Sequence, residues 1–186
     1  MIMRTQLVLT VAVVFAALGG VATAGDVKSG LALGDFPDAF EVKDVTGPEK
    51  GTSLCYRCRY GSRPTVSIFT RNIDANLAHL VKQIDAQVGK NGEKGMKAFV
   101  IVLTDNPKAA EQKLNDIAKK NGIMHVPLTI FENSTGPKGY KISKKADVSI
   151  MMWVKNDVKV NHSFGRGELD KKNIQAIVEN TRKILN

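Results

Sequence analysis

Ala98-Phe99-Val100-Ile101-Val102-Leu103 is a run of apolar residues with no polar interruption. A strand with one wet face alternates apolar and polar residues. A continuous run suits a strand covered on both faces, as in the parallel part of a sheet packed between helices. The flanking segments have helical period. Upstream, Ile73, Leu77, Leu80, Val81, Ile84 and Val88 recur at i, i+4, i+7, i+8, i+11 and i+15, which places them on one stripe. Asn72 or Asp74 can cap that helix by accepting bonds from its free N–H groups, and Gly89 ends it. Downstream, Asn106 can cap a second helix with Pro107 at its first position. Ala110, Leu114, Ile117 and Ala118 form its inner stripe, and Lys119-Lys120 and Gly122 close it.

Working outward, Thr65–Phe69 is a short β-branched and aromatic strand before the first helix. Val126–Phe131 is a strand after the second, with Pro127 at its start or on an edge. Phe36–Val45 alternates apolar and polar residues and meets the turn signal Thr46–Gly51, which predicts another strand. Val148–Val154 and Val158–Phe164 flank Lys155-Asn156-Asp157 and read as a hairpin. The last helix starts at Asp170 as N-cap, with Leu169 and Ile174 at the spacing of a hydrophobic staple. Ile177, Val178, Ile184 and Leu185 continue its inner face. The order is β-β-α-β-α-β-β-β-α, which implies a mixed sheet with helices on both faces. No repeat or interdomain linker interrupts it, so residues 25–186 are expected to form one domain.

Residues 1–24 read as a signal peptide. Arg4 gives the positive start, Leu7–Leu18 the apolar core, and Ala22-Thr23-Ala24 the small-residue cleavage pattern before Gly25. The apolar run is about a dozen residues, short of the roughly 20 that span a bilayer. The expectation is an exported protein, periplasmic or secreted, with no stable membrane span after cleavage. The formal charge is +9, from 27 basic and 18 acidic residues, and the lysines scatter along the chain. Such a surface is solvated or meets an anionic partner. No nucleic-acid-binding motif is visible, so no nucleic acid is expected as partner.

The chemical potential is concentrated in Cys55-Tyr56-Arg57-Cys58-Arg59-Tyr60-Gly61-Ser62-Arg63-Pro64, a short loop or helical turn. It holds both cysteines and, with Arg71, four of the seven arginines. Two cysteines in an oxidising compartment tend to pair. Cys-x-x-Cys spacing closes a small disulfide loop or offers two thiolates to one metal. Three readings stay open for Cys55 and Cys58: a structural disulfide, a redox pair, or half of a metal site. A metal needs further ligands, and His79, His125 and His162 are not spaced as local pairs, so neither metal nor cofactor is expected. Arg57, Arg59 and Arg63 would stabilise a thiolate and lower its pKa. With Arg71, which precedes a helix start, they are a candidate anion site, against the plain reading of solvated surface. Asp74 competes for that helix end. Met151 and Trp153 alternate with Met152 onto opposite faces of one strand and read as core. Asn133-Ser134-Thr135 and Asn161-His162-Ser163 fit the N-glycosylation pattern.

The element order resembles the thioredoxin fold in its peroxiredoxin-like branch. The first strand and turn look like that branch's N-terminal β extension. Val126-Pro127-Leu128 followed by Gly136-Pro137-Lys138-Gly139-Tyr140-Lys141-Ile142 is similar to its segment joining the second helix to the final hairpin. Ile150-Met151-Met152-Trp153-Val154-Lys155-Asn156-Asp157-Val158 looks like the hairpin. The resemblance covers roughly residues 35–185. It implies a three-layer α/β sandwich with a mixed central sheet. The family's catalytic motifs are missing. The place of its helix-start cysteines falls near Asp74-Ala75-Asn76-Leu77, no Pro-x-x-x-Thr-x-x-Cys occurs, and the place of its cis-proline is Ala146-Asp147-Val148. The resemblance therefore carries the fold and no peroxidase activity.

Cys55 and Cys58 stand before the first core strand instead of after it. They are expected at the rim opposite Thr70, Arg71, Asn72 and Asp74. The functional reading is thiol–disulfide redox at Cys55 and Cys58 with a protein thiol or disulfide as partner. The alternative is a non-enzymatic binding or scaffold protein whose disulfide is structural.

Overall fold

The computed structural model describes residues 27–186; the segment read as a signal peptide lies outside the described residues. The chain forms β1 (Val42–Asp44), β2 (Ser53–Leu54), α1 (Tyr56–Tyr60), β3 (Thr65–Thr70), α2 (Ala75–Lys90), β4 (Lys97–Leu103) and α3 (Pro107–Asn121). It continues with β5 (Leu128–Phe131), β6 (Val148–Val154), β7 (Asp157–Phe164) and α4 (Lys171–Asn180). Short 3-10 turns cover Lys138–Tyr140 and Thr181–Ile184.

One mixed sheet takes the order β2-β1-β5-β4-β3-β6-β7. β3, β4 and β5 run parallel, with Thr65 opposite Lys97 and Val100 opposite Leu128. The helices α2 and α3 that join them cross one face, as right-handed parallel connections require. β6 runs antiparallel to β3, and β7 antiparallel to β6. The apolar run Ala98–Leu103 is fully covered, as its lack of alternation implies.

The two faces are packed differently. One side gathers Leu77, Leu80, Val81 and Ile84 of α2, Ala110 and Leu114 of α3, and Ile174 and Ile177 of α4, against Val66, Ile68, Val100 and Met152. The other is aromatic: Tyr56, Tyr60, Phe69, Phe99, Tyr140, Met151 and Trp153. Met152 and its neighbours Met151 and Trp153 thus part to opposite faces, as strand alternation demands. Asp74, not Asn72, caps α2; its Oδ1 accepts the Leu77 N–H at 2.8 Å. Asn106 and Asp170 cap α3 and α4, and Leu169 and Ile174 of the staple are both buried. Lys155 and Asn156 both take positive φ, 55° and 62°, the mirror-image turn that a tight right-twisted hairpin needs.

The strand expected over Phe36–Val45 is shorter, only Val42–Asp44. Before it, Pro37 is buried and Phe40 half-buried, while Phe36 and Ala39 are exposed. Phe40 packs on Tyr140 with centroids 4.8 Å apart and on Phe69 at 5.7 Å. The backbone before it pairs with β7, through Gly34 N–H to Val158 O at 2.9 Å and Val158 N–H to Asp35 O at 3.2 Å. This segment, α1 and the Lys138–Tyr140 turn form the thin outer layer of the aromatic side.

Candidate functional site

Helical geometry decides which side chains of α1 face solvent. Tyr56 and Tyr60 are four residues apart and so share one face. That face docks on the sheet: the Tyr56 and Tyr60 rings lie 5.7 Å and 5.9 Å from Phe99. Cys58 is two positions on from Tyr56, about 200° around the helix, and it is exposed. Cys55 is half-buried and caps the helix. The two sulfurs are bonded at 2.07 Å, with Cα atoms 5.2 Å apart. The Cys55 Sγ also accepts the Cys58 N–H at 3.0 Å.

A buried carboxylate holds this helix to the sheet. Asp44 is fully buried and accepts the Tyr56 O–H at 2.8 Å, the Gly47 N–H at 2.7 Å and the Glu49 N–H at 2.8 Å. Such a carboxylate is stabilised only by donors that replace its lost water. Burial, then the hydrogen bond to Asp44 and its charge, push the Tyr56 hydroxyl far above its ordinary pKa, which keeps it a donor to that carboxylate. Burial does the same to Tyr60, whose hydroxyl points to Ala98 O at 3.4 Å. Both tyrosines anchor the site, and neither is marked by any motif. The signal that finds them is their i, i+4 spacing.

The arginines have separate employments. Arg57 donates from Nε to Pro37 O at 2.6 Å and lies 4.5 Å over the Phe36 ring. Arg59 forms an exposed pair with Glu49 at 2.8 Å. Arg63 donates to Tyr60 O at 3.0 Å and Arg59 O at 2.8 Å, satisfying carbonyls at the end of α1 that have no partner within the helix. Arg71 is not among them. It follows β3, whose six residues at about 3.3 Å each separate it from α1 by roughly 20 Å. There it donates to Ser134 O at 2.9 Å, Ser143 O at 3.0 Å and Ala146 O, gathering the segment between β5 and β6. Burial lowers its pKa.

The end of β3 away from α1 carries Asn72, whose Nδ2 donates to Asp74 Oδ2 at 3.2 Å. Asp147 lies nearby, its carboxyl raised by burial and partly offset by Arg166. The disulfide helix stands at the other end, where Tyr60 reaches Ala98 at the start of β4. The histidines lie apart. His79 bonds Gln83 on α2, His162 bonds Asn180, and His125 packs on Gly89. Among the described residues no helix is long and apolar enough to cross a membrane.

No family model and no curated protein sequence matches the chain. Solved structures do. A candidate thiol:disulfide interchange protein DsbE from Chlorobium tepidum aligns at 13% identity and TM-score 0.64, over 84% of this chain and 99% of its own. A candidate protein disulfide isomerase from Bacteroides thetaiotaomicron aligns at 10% identity and TM-score 0.63, over 84% and 92%. The yeast mitochondrial 1-Cys peroxiredoxin aligns at 9% identity and TM-score 0.59, over 82% and 75%. The fold is therefore thioredoxin-like, built on a mixed seven-stranded sheet. At these identities the likeness is one of fold.

Proposed function

We propose that this is an exported thiol–disulfide exchange protein working through Cys55 and Cys58. The observation that carries the reading is a disulfide closed across one turn, with Cys58 exposed on a helix whose opposite face is anchored by Tyr56 and Tyr60. A partner thiolate reaches an exposed sulfur without unfolding the protein. Exchange proceeds by thiolate attack and a mixed disulfide, after which the second thiol resolves it. The partner is a protein thiol or disulfide, and the names of two fold neighbours, a disulfide interchange protein and a disulfide isomerase, favour that class. The signal-peptide pattern of residues 1–24 supports export, and a mature chain beginning at Gly25 is the expected product.

The reduction potential of the pair tests the proposal. Equilibration in glutathione buffers, read by alkylation and mass, should place it above about −300 mV, in the range of exchange proteins. A value below that overturns the reading in favour of a structural disulfide on a binding or scaffold protein. The observation favouring that second reading is the role of Cys55 as the cap of α1. In the exchange reading Arg57, Arg59 and Arg63 supply local positive charge that favours thiolate, while Arg71 stands apart at the far end of β3.

A further inference from the structure

In this chain the two sulfurs are not equivalent, and their inequality assigns their roles. Cys55 sits where β2 runs into α1, next to the buried Tyr56, and is half-buried. Its sulfur already accepts the Cys58 N–H at 3.0 Å. Cys58 lies on the outward face of α1 between Arg57 and Arg59 and is exposed. Of the two residues, Cys58 is thus the more accessible to a macromolecular partner.

We propose, resting on the exchange reading above, that Cys58 is the sulfur that attacks partners and is attacked by them, while Cys55 resolves. In the oxidising direction a partner thiolate attacks Cys58 Sγ. The Cys55–Cys58 bond breaks, the partner–Cys58 bond forms, and Cys55 leaves as thiolate. That thiolate is born accepting the Cys58 N–H, so its charge is met by a donor already in place. A second partner thiol, losing its proton to solvent, then attacks the partner sulfur of the mixed disulfide. Cys58 leaves as thiolate, and two electrons have passed from the partner to the pair. In the reducing direction the Cys58 thiolate attacks a partner disulfide and releases one partner thiolate. Cys55 then attacks Cys58 Sγ, closes the pair and releases the second.

The experiment uses the purified full protein. After reduction, limiting iodoacetamide is added, quenched, and the labelled cysteine mapped by peptide mass. In parallel, Cys55→Ser and Cys58→Ser are reduced and mixed with glutathione disulfide, and mixed-disulfide formation is timed. Serine at position 55 preserves the helix cap. Access sets the rate alongside thiolate fraction, so the more exposed Cys58 should be labelled first, and the Cys55→Ser protein, which keeps Cys58, should react roughly tenfold faster than Cys58→Ser. First labelling of Cys55, or equal rates in the two variants, overturns the assignment. Labelling needs no substitution, so it decides even where a variant folds poorly. The reduction potential separates the two claims. A potential in the structural range with Cys58 still labelled first defeats the exchange reading alone. A potential in the exchange range with Cys55 faster defeats this assignment alone.

Discussion

Replacing Tyr56 by Phe tests what holds the disulfide helix in place. The ring and its contact with Phe99 remain, and only the O–H bond to Asp44 is lost. Asp44 is fully buried and keeps the Gly47 and Glu49 amides. A hydrogen bond to a charged group contributes about 1.5–3 kcal/mol. Urea unfolding of Tyr56→Phe should therefore show that loss with an unchanged slope, or a Tm lower by roughly 3–12 °C at this chain length. Asp44→Ala should cost more, about 3–5 kcal/mol, because it leaves the Tyr56 hydroxyl and two amides without an acceptor. The double variant should cost less than the sum of the two, since both remove one shared bond. A Tyr56→Phe protein within about 0.5 kcal/mol of the parent, a size typical of surface changes, would refute this account. α1 would then be held by ring packing alone.

Three further outcomes follow from the same structure. Alkylation of the denatured, unreduced protein should show no free thiol, as the Cys55–Cys58 bond requires; two labelled cysteines in protein never exposed to reductant would contradict it. Peroxide consumption should not exceed a buffer control, because the start of α2 carries Asp74-Ala75-Asn76 and no cysteine; sustained turnover abolished by Cys58→Ser would reverse that. Burial and then Lys183 lower the His162 pKa, so the unfolded chain takes that proton more readily than the folded one. The contribution of His162 is present above pH 6.5 and is lost as pH falls through that value toward the lowered folded one. Urea midpoints should fall over that window less in His162→Gln than in the parent. Comparing the two proteins at each pH cancels Asp147, whose carboxyl burial raises; identical curves would sink the idea.

The parts of the fold legible in the sequence are those governed by neighbours in the chain. The run Ala98–Leu103, the stripe from Ile73 to Val88, the caps at Asn106 and Asp170, the pair Asn72 and Asp74 from which the α2 cap comes, and the facing of Met151, Met152 and Trp153 all depend on local period or spacing. The alternation over Phe36–Val45 is ambiguous for a physical reason. A segment lying across a sheet face also buries every second or third residue, and Phe40 does so without a ladder beside it. The site divides in the same way. The Cys55–Cys58 bond is three residues long and readable. The bond between Asp44 and Tyr56 depends on β1 and α1 being brought together, and nothing local announces it. The arginines look like one cluster in the sequence because β3 is short on paper, yet its extended backbone carries Arg71 to the far end of the sheet.

The shortness of the disulfide has a bearing on what its opening does to the molecule. A bridge across a sequence separation of three encloses almost no chain. In the chain-entropy picture it restrains the unfolded state by only about 2 kcal/mol, against nearly 5 for a bridge closing a hundred residues. The sheet, both cores and every helix cap beyond α1 are held by other contacts. The bond is thus a removable fitting on a frame that stands without it. Breaking it leaves the contacts that hold the sheet, both cores and the other helix caps where they were.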